Sequence, residues 1–335
     1  QRFTGQINSS YKIKSWMEVG TNNTITSIKN STLSENNVQY GMMKSILVQD
    51  PLTPVVYNSS NLPARIQTAI SKGLHPIKND NGEYYGYSWA DDGINPLASV
   101  QTSNMANRSF SINGMTYLNL KPFKNFVFTS RVGYSLSNFA TNSYNPTRLA
   151  GFFNDVDTNL DLKSSQTTSK YYQLENFVNY SIETEKAGVF SVMAGSSYVN
   201  NEANYLGAQT NSLSSEKPNF IYMNYSTNNA NDYVYGNLSY KRQIAYYSRL
   251  GWDYKDRYNV QANLRVDSYD SAYLDLDHNW GYFPSISTGW TFSNENFMKS
   301  IVESTFTYGK LRVSYGVNGS ISNLGNYMYA ATLRT

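Results

Sequence analysis

Apolar and polar residues alternate with a period of two through much of this chain. From Tyr258 to Asp267 one set of positions reads Tyr258, Val260, Ala262, Leu264 and Val266, and the other reads Asn259, Gln261, Asn263, Arg265 and Asp267. Successive side chains of a strand point to opposite faces, so this segment is a strand with one greasy and one wet side. The segment before it repeats the pattern, with Leu250, Trp252 and Tyr254 against Arg249, Gly251 and Asp253. Lys255-Asp256-Arg257 reads as a tight reversal between the two.

Other segments obey the same rule. Phe126, Phe128, Val132, Tyr134 and Leu136 oppose Thr129, Arg131, Gly133 and Ser135. Tyr172, Leu174, Val178, Tyr180 and Ile182 oppose Gln173, Glu175, Asn179 and Ser181, with Asn176 and Phe177 breaking the pattern. Tyr282, Ile286, Trp290 and Phe292 oppose Ser285, Ser287, Gly289 and Thr291, and Leu311, Val313 and Tyr315 oppose Lys310, Arg312, Ser314 and Gly316. With an opening hairpin over roughly 2–27 and a strand near 107–120, the pattern predicts about ten strands. An all-β architecture follows.

The connections sort by length. Lys121 to Asn125, Thr184 to Gly188 and Lys255 to Arg257 are short, whereas about 28–106, 141–168, 204–242 and 271–281 are long and polar. Short turns at one end and long loops at the other are the habit of outer-membrane barrels, whose long loops face outward. The 28–106 loop carries a helical stripe of Val38, Met42, Met43, Ile46 and Leu47, closed by Asp50-Pro51 because a residue before proline resists the helical region. Asn79-Asp80-Asn81-Gly82 marks a turn within it.

Composition sharpens this picture. Of 335 residues, 40% are apolar and only 15% are charged, while Tyr alone contributes 30. Low charge without long apolar runs argues against a helical enzyme, and the amphipathic tyrosine suits a boundary between water and something greasy. No window is apolar for the ~18 residues that a spanning helix needs, so a membrane role requires a barrel. Tyr172, Trp252, Tyr254, Tyr258, Tyr282 and Trp290 then read as interfacial girdle residues. A net charge of +3 with no basic stripe argues against nucleic acid, and the absence of Cys excludes disulfides and thiolate sites. The chain starts at Gln1 with no leader pattern, so it is expected to be a piece of a longer protein, all of it within one barrel domain. A soluble β-rich glycan-binding protein would show the same alternation, and a passive porin or autotransporter-type barrel would show the same loops. Both readings stay open at this point.

Several runs resemble the SusC/RagA family of TonB-dependent outer-membrane transporters. They are Tyr254-Lys255-Asp256-Arg257-Tyr258, Leu264-Arg265-Val266-Asp267, Trp280-Gly281-Tyr282-Phe283-Pro284-Ser285, Gly289-Trp290, Glu295-Asn296-Phe297-Met298 and Leu311-Arg312-Val313-Ser314-Tyr315-Gly316. Upstream, Asp50-Pro51-Leu52-Thr53-Pro54-Val55 and Asn95-Pro96-Leu97-Ala98 are similar to family turns, while Asp267-Ser268-Tyr269-Asp270-Ser271 departs from the family hairpin tip. The resemblance implies a barrel of about 22 strands with a plug in its lumen. The plug and the barrel ends would lie outside this chain. It further implies TonB-energised import of bulky oligosaccharides or peptides across the outer membrane of a Gram-negative bacterium of the Bacteroidota, with a SusD-like surface lipoprotein as lid.

Candidate chemistry is sparse. Only two histidines exist, His75 and His278, so a histidine triad or zinc site is not expected, and no catalytic residue is assigned. Asp275, Asp277 and Asn279 have the alternating oxygens of a calcium loop, but Trp280 and Ile286 stand where an EF-hand needs Gly and a bidentate Glu. A looser calcium site is the only metal alternative, and no other cofactor is expected. Tyr84, Tyr85, Trp89, Asp91 and Asp92, with Trp280, are the candidate sugar contacts, because aromatic faces stack on sugar rings while acids bind hydroxyls. The competing role is to pin the long loop to its neighbours. Arg131, Arg249, Arg265 and Arg312 fall on wet faces and are expected to point into the lumen, toward plug or cargo.

Overall fold

A computed structural model describes residues 1–31, 42–72, 76–88, 95–102, 106–145, 148–150, 155–157, 161–214, 220–270, 274–298, 307–320 and 328–330. Ten strands form a single antiparallel sheet in which every strand pairs with its neighbours in the chain's order: β1 (Arg2–Lys14), β2 (Met17–Ser31), β5 (Ala106–Leu120), β6 (Phe126–Asn145), β9 (Asp161–Thr184), β10 (Gly188–Thr210), β11 (Tyr233–Tyr254), β12 (Tyr258–Tyr269), β13 (Trp280–Trp290) and β14 (Leu311–Gly316). The remaining strands are short pairs within connections: β3 (Val56–Tyr57) with β4 (Tyr84–Tyr85), and β7 (Arg148–Ala150) with β8 (Asp155–Asp157). Three short helices, α1 (Met42–Val48), α2 (Ala64–Ser71) and α3 (Pro96–Thr102), lie in the long loop after β2. Among the described residues no helix is long and apolar enough to cross a membrane.

The turns at one end are tight for identifiable reasons. In the three-residue connection between β11 and β12, Lys255 and Asp256 both take positive φ, 51° and 53°, the twist that matches the flanking strands, and Arg257 N donates to Tyr254 O at 2.9 Å. Gly188 takes φ 86° beside Asp253 O, where a Cβ would come within 2.2 Å of that oxygen.

Register fixes two faces. Counting across the pairs, Tyr11, Val19, Leu118, Val132, Leu174, Val192, Leu250, Val260, Ile286 and Val313 share one face, and the polar alternates share the other. The apolar face is bare: Leu250, Leu264, Tyr282, Ile286 and Val313 are all exposed. Aromatic rings bound it at two levels. Near the tight turns, Phe190 stacks on Trp252, Trp252 on Tyr254 and Tyr254 on Tyr258. Higher up, Tyr172 meets Tyr198 at 5.8 Å and Tyr246 stacks on Trp280 at 6.4 Å. Tyr254 and Tyr246 are eight residues apart on β11, roughly 26 Å along the strand and about 20 Å of height at the usual barrel tilt. That height suits a lipid-facing band.

Asn176 and Phe177 do not interrupt β9, whose pairing to both neighbours runs without a bulge. The break is chemical. Asn176 faces outward beside Ser130 and Ser196, and Phe177 faces inward.

Two of the long connections are shorter than the sequence suggests, because strands β6, β9, β10 and β11 continue well past the apolar band. Above it, β9 carries Ser164, Ser165, Gln166, Thr167, Thr168 and Ser169, so both faces are polar while the backbone ladder persists. The crossover is marked by outward-facing charges. Lys29, Arg108, Lys170, Glu202 and Arg242 each lie twelve residues up-strand from Met17, Leu120, Ile182, Phe190 and Tyr254, respectively. Twelve residues span about 40 Å of strand and roughly 30 Å of height, the depth of a hydrocarbon layer.

Above that level part of the outer face is covered by the protein itself. Tyr144 of β6 and Leu162 of β9 pack with Leu213, Ile221 and Met223 from the β10–β11 connection. A network of Thr210, Ser212 and Ser226 hydroxyls, with Asp232 accepting from Ser226 at 2.9 Å, holds that connection folded.

Candidate functional site

Five strands contribute side chains to a cavity of about 450 Å³ on the polar face. Arg131 of β6 stands directly across from Glu175 of β9, and the two form a close ion pair. The Arg131 guanidinium also lies 5.4 Å from the ring centre of Phe177, an inward apolar residue that supports its stem and charge. On β12, Arg265 and Asp267 are two apart and therefore on one face, with Nε 2.9 Å from Oδ1, and Arg265 sits 5.8 Å over Tyr247. Gly195 makes room between them: a Cβ there would meet Phe177 Cβ at 2.6 Å and Tyr247 Cε2 at 2.8 Å. Arg249 Nε donates to Asn263 Oδ1 at 3.0 Å, Gln261 donates to the same oxygen at 3.2 Å, and Asn263 passes a hydrogen bond to Ser285. Three guanidinium groups face two carboxylates here, which leaves the wall net positive.

The structure thus gathers three of the four arginines expected on the wet face. Arg312 is on the same face but at the edge strand β14, opposite Gly289. Glu175, Phe177, Tyr247, Gln261 and Asn263 join the site without having stood out in the sequence. The signal was available, since counting inward from the Thr184–Gly188 and Lys255–Arg257 turns sets the register that aligns them.

The loop aromatics are placed otherwise. Tyr85 is 7% exposed and packs with Ile77 and Ala98, while Tyr84 lies partly buried against the Ile66, Ala69 and Tyr87 cluster with Lys78 4.5 Å over its ring. Both help to build the loop's own core. Trp280 is separated from them by topology, on the outer apolar face and stacked on Tyr246. Trp89, Asp91, Asp92, Val38 and His75 lie outside the described residues. Asp275 and Asn279 flank a single 3-10 turn, Leu276–His278, and Asp277 lies within it. Among the described residues no three His, Asp or Glu side chains converge as metal ligands.

The quoted motifs have structural work to do. Glu295 is 8% exposed and accepts from Tyr258 OH at 2.7 Å, Trp290 Nε1 at 3.2 Å and Arg257 Nη1 at 3.2 Å. The hydrogen bonds from Tyr258 and Trp290 hold its carboxyl below the ordinary Glu pKa, against the cost of burial. Three separate motifs therefore meet at one carboxylate that ties the Lys255–Arg257 turn to the turn after β13. In the long loop, burial disfavours the Asp50 carboxylate, but the hydroxyls of Thr53 and Ser88 and the backbone N–H groups of Thr53 and Leu52 hold it well below the usual range. Asn95 bridges Val55 O and Gly86 O and caps α3 through Leu97 N, with Pro96 at the first helical position.

The ten-strand antiparallel ladder, bare apolar band and polar charged inner wall define the class: a stretch of an outer-membrane antiparallel β-barrel. Comparison with known proteins narrows it. Over 232 residues, 68% of this chain, it is 28% identical to a TonB-dependent receptor of Formosa agariphila and spans 21% of that relative's length. Over 83 residues, a quarter of the chain, it is 32% identical to the TonB-dependent receptor SusC of Bacteroides thetaiotaomicron, spanning 8% of it. The RagAB peptide transporter superposes on 97% of the chain with a TM-score of 0.72 at 17% identity, over 33% of its own chain. No family model matches. Within the barrel class the chain is SusC/RagA-like, as its motifs suggested.

Proposed function

We propose that this chain forms part of the wall of an active importer of bulky nutrients, energised through TonB and working with a SusD-like surface lipoprotein. The single observation that carries the reading is the two-faced sheet, with a bare apolar band outside and arginines, amides and hydroxyls inside. A polar wall of this kind offers hydrogen bonds to oligosaccharides or peptides, and its arginines offer docking points for a plug or for cargo. Oligosaccharide is the favoured cargo. The described residues offer recognition groups on the wall, and the proposed activity is transport without bond chemistry.

The test is uptake by the living bacterium. Deleting the receptor gene, or that of the partner lipoprotein, should abolish growth on one class of oligomer while sparing growth on its monomer, and an uncoupler should stop uptake at once. Uptake that persists without membrane energy would assign the chain to a passive pore instead.

A further inference from the structure

Among the described residues, two of the five outward charges at the upper edge of the apolar band have neither a counter-charge nor a polar or aromatic side-chain partner. Lys170 pairs with Glu202 at 3.1 Å, and Arg242 donates to Asn200 at 3.2 Å and lies 5.1 Å from the Tyr240 ring. Lys29 and Arg108 are different. They are direct cross-strand partners on β2 and β5, both exposed on the outer face. Such partners have Cβ atoms about 5 Å apart, and like charges in that relation repel. Neither side chain forms an ion pair within the described chain, and the outward positions around them are Phe3, Ser27, Phe110, Asn138 and Ala140, none of them acidic.

We propose that Lys29 and Arg108 together bind a phosphate group of an outer-leaflet glycolipid. The pair stands roughly 30 Å above the tight-turn end, where hydrocarbon gives way to headgroups. Directly below it Phe110 and Ile25, with Phe3 alongside, present an exposed apolar track that an acyl chain of the same lipid would follow. Two cations about 5 Å apart suit a dianionic phosphate, which accepts hydrogen bonds from an ammonium and a guanidinium at once. An anion between them turns a repulsive pair into a cohesive one. The proposal rests on the membrane-barrel reading of the sheet and adds to it a defined lipid site.

The experiment uses the full-length receptor in detergent, with native mass spectrometry of bound lipid. The probes are bis-phosphorylated lipid A, the same lipid dephosphorylated, and inorganic phosphate. Wild type should hold the phosphorylated lipid at least about tenfold more tightly than the K29Q/R108Q variant. K124Q, at the opposite end of the barrel, should match wild type, and dephosphorylated lipid should bind all three proteins alike. Equal affinity of wild type and double variant, with both inserting normally into vesicles, overturns the lipid site and leaves the barrel reading standing. Displacement of the lipid by inorganic phosphate at equal concentration makes this a free-anion site and overturns the lipid assignment. A wild-type protein that does not enter vesicles overturns both.

Discussion

Leu264 on β12 and Leu206 on β10 both face outward, and by exposure they look alike, at 43% and 59%. Their surroundings differ. Leu264 lies six residues above the Tyr254–Tyr258 turn, inside a continuous apolar band. Leu206 lies eighteen residues above the start of β10, past Glu202 and among Asn204 and Gly236. A few rows away at that upper level, Tyr144 and Leu162 are roofed by Leu213 and its loop. One sheet thus meets two environments. Where the loop can reach, the protein covers its apolar side chains itself; in the lower band it leaves them bare on ten strands, which only an apolar surrounding makes tolerable.

The contrast can be broken by substitution. Leu264→Arg should destabilise the folded barrel in vesicles by about 2–4 kcal/mol, because it sets a charge near the bilayer midplane. Leu206→Arg should cost under about 0.5 kcal/mol. Urea titration of refolding into vesicles measures both, and equal costs would erase the boundary drawn at Lys170 and Glu202. Leu213→Ala should loosen the roof by about 2–3 kcal/mol through the cavity it leaves beside Tyr144. Limited proteolysis should then cut within 211–232 while the lower strands stay protected.

Gly195→Val tests the inner wall. It should cost about 1–3 kcal/mol by forcing Phe177 and Tyr247 apart, and should weaken cargo uptake without changing outer-face lipid contact. The smallest effect concerns pH. The depressed pKa of Glu295 means that its contribution is fully present above the ordinary Glu range and is lost as pH falls through its own lower value. Glu295→Gln should therefore lower stability at neutral pH and flatten the acid limb of the stability curve. An unchanged acid limb would remove Glu295 from its place at the turn.

Much of this was legible in the sequence where one face is apolar. Tyr258 to Asp267 declares both its strand and its faces. The upper part of β9 could not declare itself, because Ser164 to Ser169 is polar on both sides and leaves no period to read. Backbone pairing alone extends it. Phe177 looked like an error in the pattern and is an inward platform for Arg131. Parity alone puts the four arginines on one face of the sheet, but the gathering of Arg131, Arg249 and Arg265 with Glu175 and Tyr247 depends on register across five strands. Tyr85 shows the opposite limit: an aromatic run in a polar loop fits a sugar platform and a loop core equally well, and the sequence alone does not reveal that Tyr85 packs against Ile77 and Ala98.

The chain has no cysteine, so single spin labels can be introduced without interference from within it. Nitroxides at positions 250, 264 and 286, with 265 as the inward control, can be scanned in the reconstituted full-length receptor for collision with oxygen and with a water-soluble nickel chelate. The account predicts that the first three collide with oxygen and are hidden from nickel, as mid-bilayer sites are, while 265 shows neither lipid signature. Labels at 250, 264 and 286 that are immobilised and closed to both reagents would mean that protein, not lipid, covers this face.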